Sequence, residues 1–161
     1  MSNLEFAINM ELDGEKYYTE QAQKNKDNHL NIVFLMLAKD EANHAIVLKN
    51  KFNELPYELK DNNTLPEFKN VFKGIADFTN GIEKIPYQVD VYRTALEREK
   101  QSIDLYEKFL SESTDDKAKR LFEYLVKQEE DHFTILEDIV TFVNRPTDWV
   151  ESAEFGIRKE Y

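Results

Sequence analysis

"DEANHA" at residues 40–45 sets Glu41 and His44 three apart inside an apolar helical rhythm, and "EEDHFT" at 129–134 repeats the arrangement with Glu129 and His132. Three residues is just under one helical turn, so each histidine lies on its glutamate's face. Leu37 and Leu48 in the first copy, and Leu125 and Leu136 in the second, mark that face as the one that packs inward. Both copies therefore turn ionisable groups toward a core.

Four stretches carry this rhythm at length. The first runs over about 3–25, with Leu4, Ala7, Tyr18 and Ala22 on one face. Asp27 or Asn28 is placed to cap the second, over about 29–53, where Leu30, Phe34, Leu37, Leu48 and Phe52 face inward. A crossover over about 54–86 holds three of the four prolines and one short helix around Phe68–Phe78. Pro86 opens the third helix, about 87–111, with Tyr92, Ala95, Leu96, Ile103, Tyr106 and Leu110 inward. "SESTDD" gives a turn and a cap, and the fourth helix covers about 116–144 with Leu121, Phe122, Leu125, Leu136 and Val140 inward. A tail over 146–161 restarts after Pro146 as a short helix, with Thr147 or Asp148 near its start. Trp149 there docks on the bundle, on a second subunit or on a partner protein. Short links make antiparallel neighbours, and one long link can cross a bundle's length. The expected fold is all-α: an antiparallel four-helix bundle with a crossover between helices two and three and a short C-terminal helix.

Composition agrees with one domain of this kind. The chain has 161 residues, 33% charged and 41% hydrophobic, with four glycines and four prolines. A formal net charge of −11 repels phosphate backbones and acidic membranes, so no nucleic acid and no membrane is expected as a partner. The absence of cysteine excludes disulfides, thiolate catalysis and cysteine-held iron or zinc. The first residues lack a basic segment followed by an apolar one, and no apolar run nears the roughly 20 residues of a membrane span. A cytoplasmic location is expected.

The two halves of the chain match at an offset of 88 residues, the distance from Glu11 to Glu99. The same offset carries Tyr18 to Tyr106, Phe34 to Phe122, Leu37 to Leu125, Glu41 to Glu129, His44 to His132, Leu48 to Leu136 and Asp27 to Asp115. Helical sequences share apolar rhythm at many offsets; they rarely share its polar interruptions. Within each half, Glu11 and Glu41 stand equally far from the first turn, and Glu99 and Glu129 equally far from the second. Fifteen residues at ~1.5 Å rise place each about 22 Å from its turn. Glu11, Glu41, His44, Glu99, Glu129 and His132 are thus expected to meet at one level, midway along the bundle.

Four carboxylates and two imidazoles cannot stay in a core as bare charges, because each uncompensated buried ion costs several kcal/mol. Two divalent cations would balance four glutamates. Carboxylate oxygens and neutral imidazole nitrogens suit iron, manganese, cobalt or zinc, whereas calcium wants an all-oxygen shell. A single Glu-x-x-His is ordinary on an exposed helix; two at matched heights, with one further Glu from each remaining helix, form the ligand pattern of ferritin-like di-metal proteins. Glu41 and Glu129 would bridge, Glu11 and Glu99 would each cap one metal, and His44 and His132 would complete the shells. Tyr18 and Tyr106, two turns beyond the terminal glutamates, either hydrogen-bond ligating carboxylates or serve as core aromatics whose hydroxyls reach solvent. Glu15 is read as a solvated glutamate or a proton carrier, and His29 as a surface residue.

"MELDGEKYY", "LAKDEANHAIVLKN", "LEREKQSIDLYEKF" and "LVKQEEDHFTILEDI" together resemble the rubrerythrin family of the ferritin-like superfamily, over nearly the whole chain outside the crossover. The resemblance implies a di-iron centre that reacts with hydrogen peroxide or dioxygen, and a homodimer, sometimes with exchanged helices. It also implies a role in oxidative-stress defence. Two departures stand out. No cysteine-held rubredoxin module is present, so electrons come from a separate rubredoxin-like or flavoprotein donor. The extra glutamate that peroxidase-type members carry one turn after the third-helix ligand is Ser102 here, and Glu97 points elsewhere. Rival readings are an iron-sequestering protein, a di-manganese catalase-like enzyme and a purely structural helical module.

Overall fold

The computed structural model describes the backbone of residues 2–76 and 89–156, and the side chains of 2–73 and 90–142. Among the described residues five helices follow one another: α1 (Asn3–Lys24), α2 (Leu30–Phe52), α3 (Thr64–Ala76), α4 (Val89–Glu112) and α5 (Asp116–Gly156). No strand occurs among the described residues. The sequence of α1 starts where Ser2 and Glu5 form a reciprocal capping box, the Ser2 hydroxyl accepting from the Glu5 amide at 3.2 Å and the Glu5 carboxylate from the Ser2 amide at 3.1 Å. The expected caps on the other helices fall to Asn28, which accepts from the Leu30 amide at 2.8 Å, and to Asp115, which accepts from the Ala118 amide at 2.7 Å. His29 is exposed and makes no capping bond.

Helix α1 packs along α2 and α4 along α5, as the short links require; α3 lies against α2 and α5. Two apolar clusters fill the bundle. One gathers Tyr18, Ala22, Leu30, Phe34, Leu37, Phe68, Tyr92, Ile135, Leu136 and Phe142; the other gathers Ala7, Leu48, Tyr106, Phe109, Leu121, Phe122 and Leu125. They occupy opposite ends of the bundle, and the layer between them belongs to the polar residues. Each cluster contains one of the two offset-related tyrosines, so the repeat is visible in the packing as well as in the sequence.

Three expectations change. Helix α5 does not stop near residue 144 and restart after Pro146; it runs unbroken to Gly156, a single helix of 41 residues. Pro146 removes one rung, the bond its absent N–H would give to residue 142, at about 3 kcal/mol. A restart would require a second nucleation, whereas continuation adds bonds to a helix that already exists. Phe52, expected inward, is 44% exposed at the last residue of α2. The crossover helix begins at Thr64, earlier than the apolar pattern at Phe68 suggested. Pro86, the expected start of the third helix, lies outside the described residues, as does the side chain of Trp149.

Candidate metal centre

The six residues singled out in the sequence meet. Glu11 projects from α1, Glu41 and His44 from α2, Glu99 from α4, and Glu129 and His132 from α5, and every one is at most 3% exposed. Two groups of ligand-type atoms form within this cluster. Glu11, Glu41, His44 and Glu129 bring one atom each within 4.8 Å of one another; Glu41, Glu99, Glu129 and His132 do the same. Glu41 and Glu129 belong to both groups, the other four to one each.

Both imidazoles turn Nδ1 toward the carboxylates. His44 Nδ1 lies 3.3 Å from Glu11 Oε2 and 3.1 Å from Glu129 Oε1. His132 Nδ1 lies 2.9 Å from Glu41 Oε1, 3.5 Å from Glu99 Oε1 and 3.8 Å from Glu129 Oε1. The rings themselves stack, with centroids 6.0 Å apart. The outward nitrogens are fixed by two residues that the sequence reading did not single out. His132 Nε2 donates to Asp40 Oδ2 at 2.9 Å, and His44 Nε2 donates to Gln128 Oε1 at 3.0 Å. Both partners are anchored in turn by the crossover: the Thr64 hydroxyl donates to Asp40 Oδ2 at 2.6 Å, and Asn62 Nδ2 donates to Gln128 Oε1 at 2.6 Å. With Nε2 holding the proton, Nδ1 keeps its lone pair for a cation. Asp40 and Gln128 are themselves related by the 88-residue offset, which was the available signal.

The tyrosines serve the carboxylates, and they do so across the repeat. Tyr18 on α1 donates to Glu99 Oε1 on α4, and Tyr106 on α4 donates to Glu11 Oε1 on α1 at 2.9 Å. Neither hydroxyl reaches solvent, so of the two sequence readings the hydrogen-bonding one holds. Burial first, and then the neighbouring carboxylates, raise both phenols well above their ordinary 10.0, which keeps them as donors. Glu15 is half-buried and outside the cluster.

Burial pushes the carboxyls of Glu41 and Glu129 far above the ordinary 4.5, and the surrounding glutamates push them further. For His44 and His132, burial acts downward, but the facing carboxylates prevail and hold both well above 6.5. Glu11 is also penalised by burial, yet His44 and the Tyr106 hydroxyl bring it below 4.5. Without a cation the layer thus holds protons in a low-dielectric setting. Among the described residues six buried side-chain atoms lack a hydrogen-bond partner, and five of them are here: Glu41 Oε1, Glu99 Oε2, both oxygens of Glu129, and His132 Nδ1. His132 Nδ1 is close to Glu41 Oε1 but not in hydrogen-bonding geometry. Orphaned acceptors directed at common points are what a pair of cations would satisfy, so the residues fit a metal.

A cleft of about 330 Å³ between α1 and α4 reaches this layer, with Gly14, Tyr18, Glu41, Glu99 and Ser102 in its wall. A larger cavity of about 690 Å³ on the α2–α5 side meets only the outer partners Asp40 and Gln128, so the smaller cleft is the one that leads to the carboxylates. Gly14 has a packing reason to be small: a Cβ there would stand 2.7 Å from Glu41 Oε2. Gly14→Ala gains about 1 kcal/mol of helix propensity but displaces a carboxylate that both atom groups share. The expected outcome is a folded protein with at least ~10-fold weaker metal binding, read by metal analysis beside circular dichroism; full metal content would show the Glu41 carboxylate free to yield.

A bundle that buries one Glu from each of two helices and Glu-x-x-His from each of the other two is a ferritin-like carboxylate protein. The family model described as Rubrerythrin matches residues 2–140, and the chain belongs to the rubrerythrin family. No curated protein and no solved structure matches the chain. Among the described residues no helix is long and apolar enough to cross a membrane.

Proposed function

We propose that the chain is a cytoplasmic di-iron oxidoreductase that reduces hydrogen peroxide, or dioxygen, in oxidative-stress defence, with electrons from a separate rubredoxin-like or flavoprotein donor. The observation that carries the reading is the pair of four-residue groups sharing Glu41 and Glu129, with orphaned oxygens facing both positions. In this reading Glu41 and Glu129 would be shared by the two metals, Glu11 and Glu99 would each serve one, and His44 and His132 would complete the two sites through Nδ1. Iron held there would supply two electrons, one per ferrous ion, enough with two protons to reduce hydrogen peroxide to two waters.

The chain's own residues supply the rest. Tyr18 and Tyr106 hold the terminal carboxylates in place, the apolar clusters above and below exclude bulk water, and the α1–α4 cleft admits a small molecule. A homodimer belongs to the same reading, supported by Ile32, Leu35 and Ile46, which stand 48%, 51% and 55% exposed on the outer side of α2. A second reading, iron sequestration without turnover, is favoured by Ser102. Its hydroxyl donates to the Arg98 carbonyl at 3.1 Å with the Met10 sulfur at 3.5 Å, so this position offers the cluster no further carboxylate.

Protein purified without oxygen is expected to contain iron, and to consume peroxide in proportion to reductant oxidised with no oxygen evolved. Bound iron without faster peroxide loss would favour sequestration. Bound manganese with oxygen released and no reductant consumed would indicate a catalase-like enzyme.

A further inference from the structure

The repeat is faithful at every ligand position and fails at the groups behind the histidines. The terminal glutamates match, as do the shared glutamates, the histidines and the tyrosines that cross between halves. Asp40 and Gln128 do not. A buried carboxylate stands behind His132, and a buried amide behind His44. We infer that this substitution makes the two cation positions unequal: the one bounded by Glu41, Glu99, Glu129 and His132 binds a divalent cation more tightly and fills first. The inference rests on the metal-centre reading above and extends it to an order of loading.

The physics is local. A carboxylate accepting the Nε2 proton gives the imidazole partial anionic character and makes Nδ1 a stronger donor to a cation; an amide oxygen orients the ring equally well but adds no charge. Asp40 also adds one negative charge close to the position that already faces Glu99. Among the described residues His132 is its only ion-pair partner, so no lysine or arginine cancels that charge. The Thr64 hydroxyl that shares Asp40 Oδ2 fixes its direction and carries no charge. On the other side Asn62 fixes Gln128 in the same way. Orientation is therefore matched on the two sides, and charge is not. Outer partners of this kind are worth roughly 10–100-fold in affinity.

The test is an oxygen-free calorimetric titration of the metal-stripped full chain with cobalt(II), followed also by the visible absorption of bound cobalt. Two steps are expected, separated by at least ~10-fold in Kd. Repulsion between two cations would also separate the steps, but it does not depend on residue 40. Asp40→Asn is therefore the deciding variant, expected to weaken the first step alone, by at least ~10-fold, and to narrow the gap to what repulsion by itself leaves. Gln128→Glu is the independent arm, expected to tighten the second step, and it decides the matter if Asp40→Asn does not fold. Two steps of equal affinity in the unaltered chain would overturn the inference. So would an Asp40→Asn titration in which the first step is unchanged or only the second weakens. A chain that takes up no cobalt would overturn the metal-centre reading itself, and the order of loading with it.

Discussion

Raising the pH of metal-stripped protein from about 5 to about 8 lowers its melting temperature, and restoring a divalent cation turns that fall into a rise. Glu41 and Glu129 have folded-state values raised above the 4.5 they have when unfolded, so the folded chain binds more protons and loses stability as pH rises beyond 4.5. His44 and His132 are raised above 6.5; their contribution is complete below that value and is lost as pH climbs through the folded one. Glu11 has the opposite sign. Its value is lowered, so its contribution is present above 4.5 and disappears only in acid. Across the neutral range these four groups therefore pull the same way. At ~2–4 °C per kcal/mol for a chain of this size, a loss of several kcal/mol moves the midpoint by on the order of 10 °C.

Cations reverse the slope because they bind only the deprotonated ligands and release protons as they do so. Calorimetry at a series of pH values, with chelator and with cobalt(II), measures both slopes on one sample. Parallel slopes would mean that the cluster does not change its protonation on binding, which is incompatible with cations held by these side chains.

The second large effect separates shared from unshared ligands. Glu41→Ala removes an atom from both groups and is expected to abolish uptake at both positions, each by more than ~100-fold, since a ligand counts for more than an outer partner. Glu11→Ala touches only the group containing His44, and leaves about one cation per chain at the other position. Equal losses from the two variants, measured as metal per chain, would refute the bridging assignment. Failure to fold is controlled from the metal-free side. Removing one of several buried, mutually repelling carboxyls relieves the apo layer, so metal-free Glu41→Ala should melt no lower than its parent at neutral pH. A variant that loses metal while holding its apo stability has lost a ligand and kept its fold.

The six clustered residues were legible because a repeat and a helix period constrain them jointly. Glu11 and Glu41 share a height by counting from the turn, His44 shares a face with Glu41, and the second half duplicates all three. Tyr18 and Tyr106 were legible as neighbours of the carboxylates but not as to which one. Tyr18 lies seven residues after Glu11 on the same helix, yet the packed bundle directs its hydroxyl across to Glu99. Asp40 and Gln128 were missed for a plain reason. Each sits one residue before a shared glutamate, about 100° around the helix, a position that reads as surface until another helix covers it. Their anchors, Asn62 and Thr64, lie in a crossover whose path no periodicity describes. Pro146 misled for a different reason: a proline penalises a helix without forbidding it, and local sequence does not say whether the bonds beyond it compensate.

Each position draws three of its residues from one helical hairpin and a single glutamate from the other: Glu11, Glu41 and His44 with Glu129, then Glu99, Glu129 and His132 with Glu41. Two copies of either hairpin laid face to face would offer the same inventory twice over. The crossover then works as a tether, turning a meeting between two molecules into an intramolecular one. Two identical hairpins could not back one imidazole with an acid and the other with an amide; two unlike halves on one tether can.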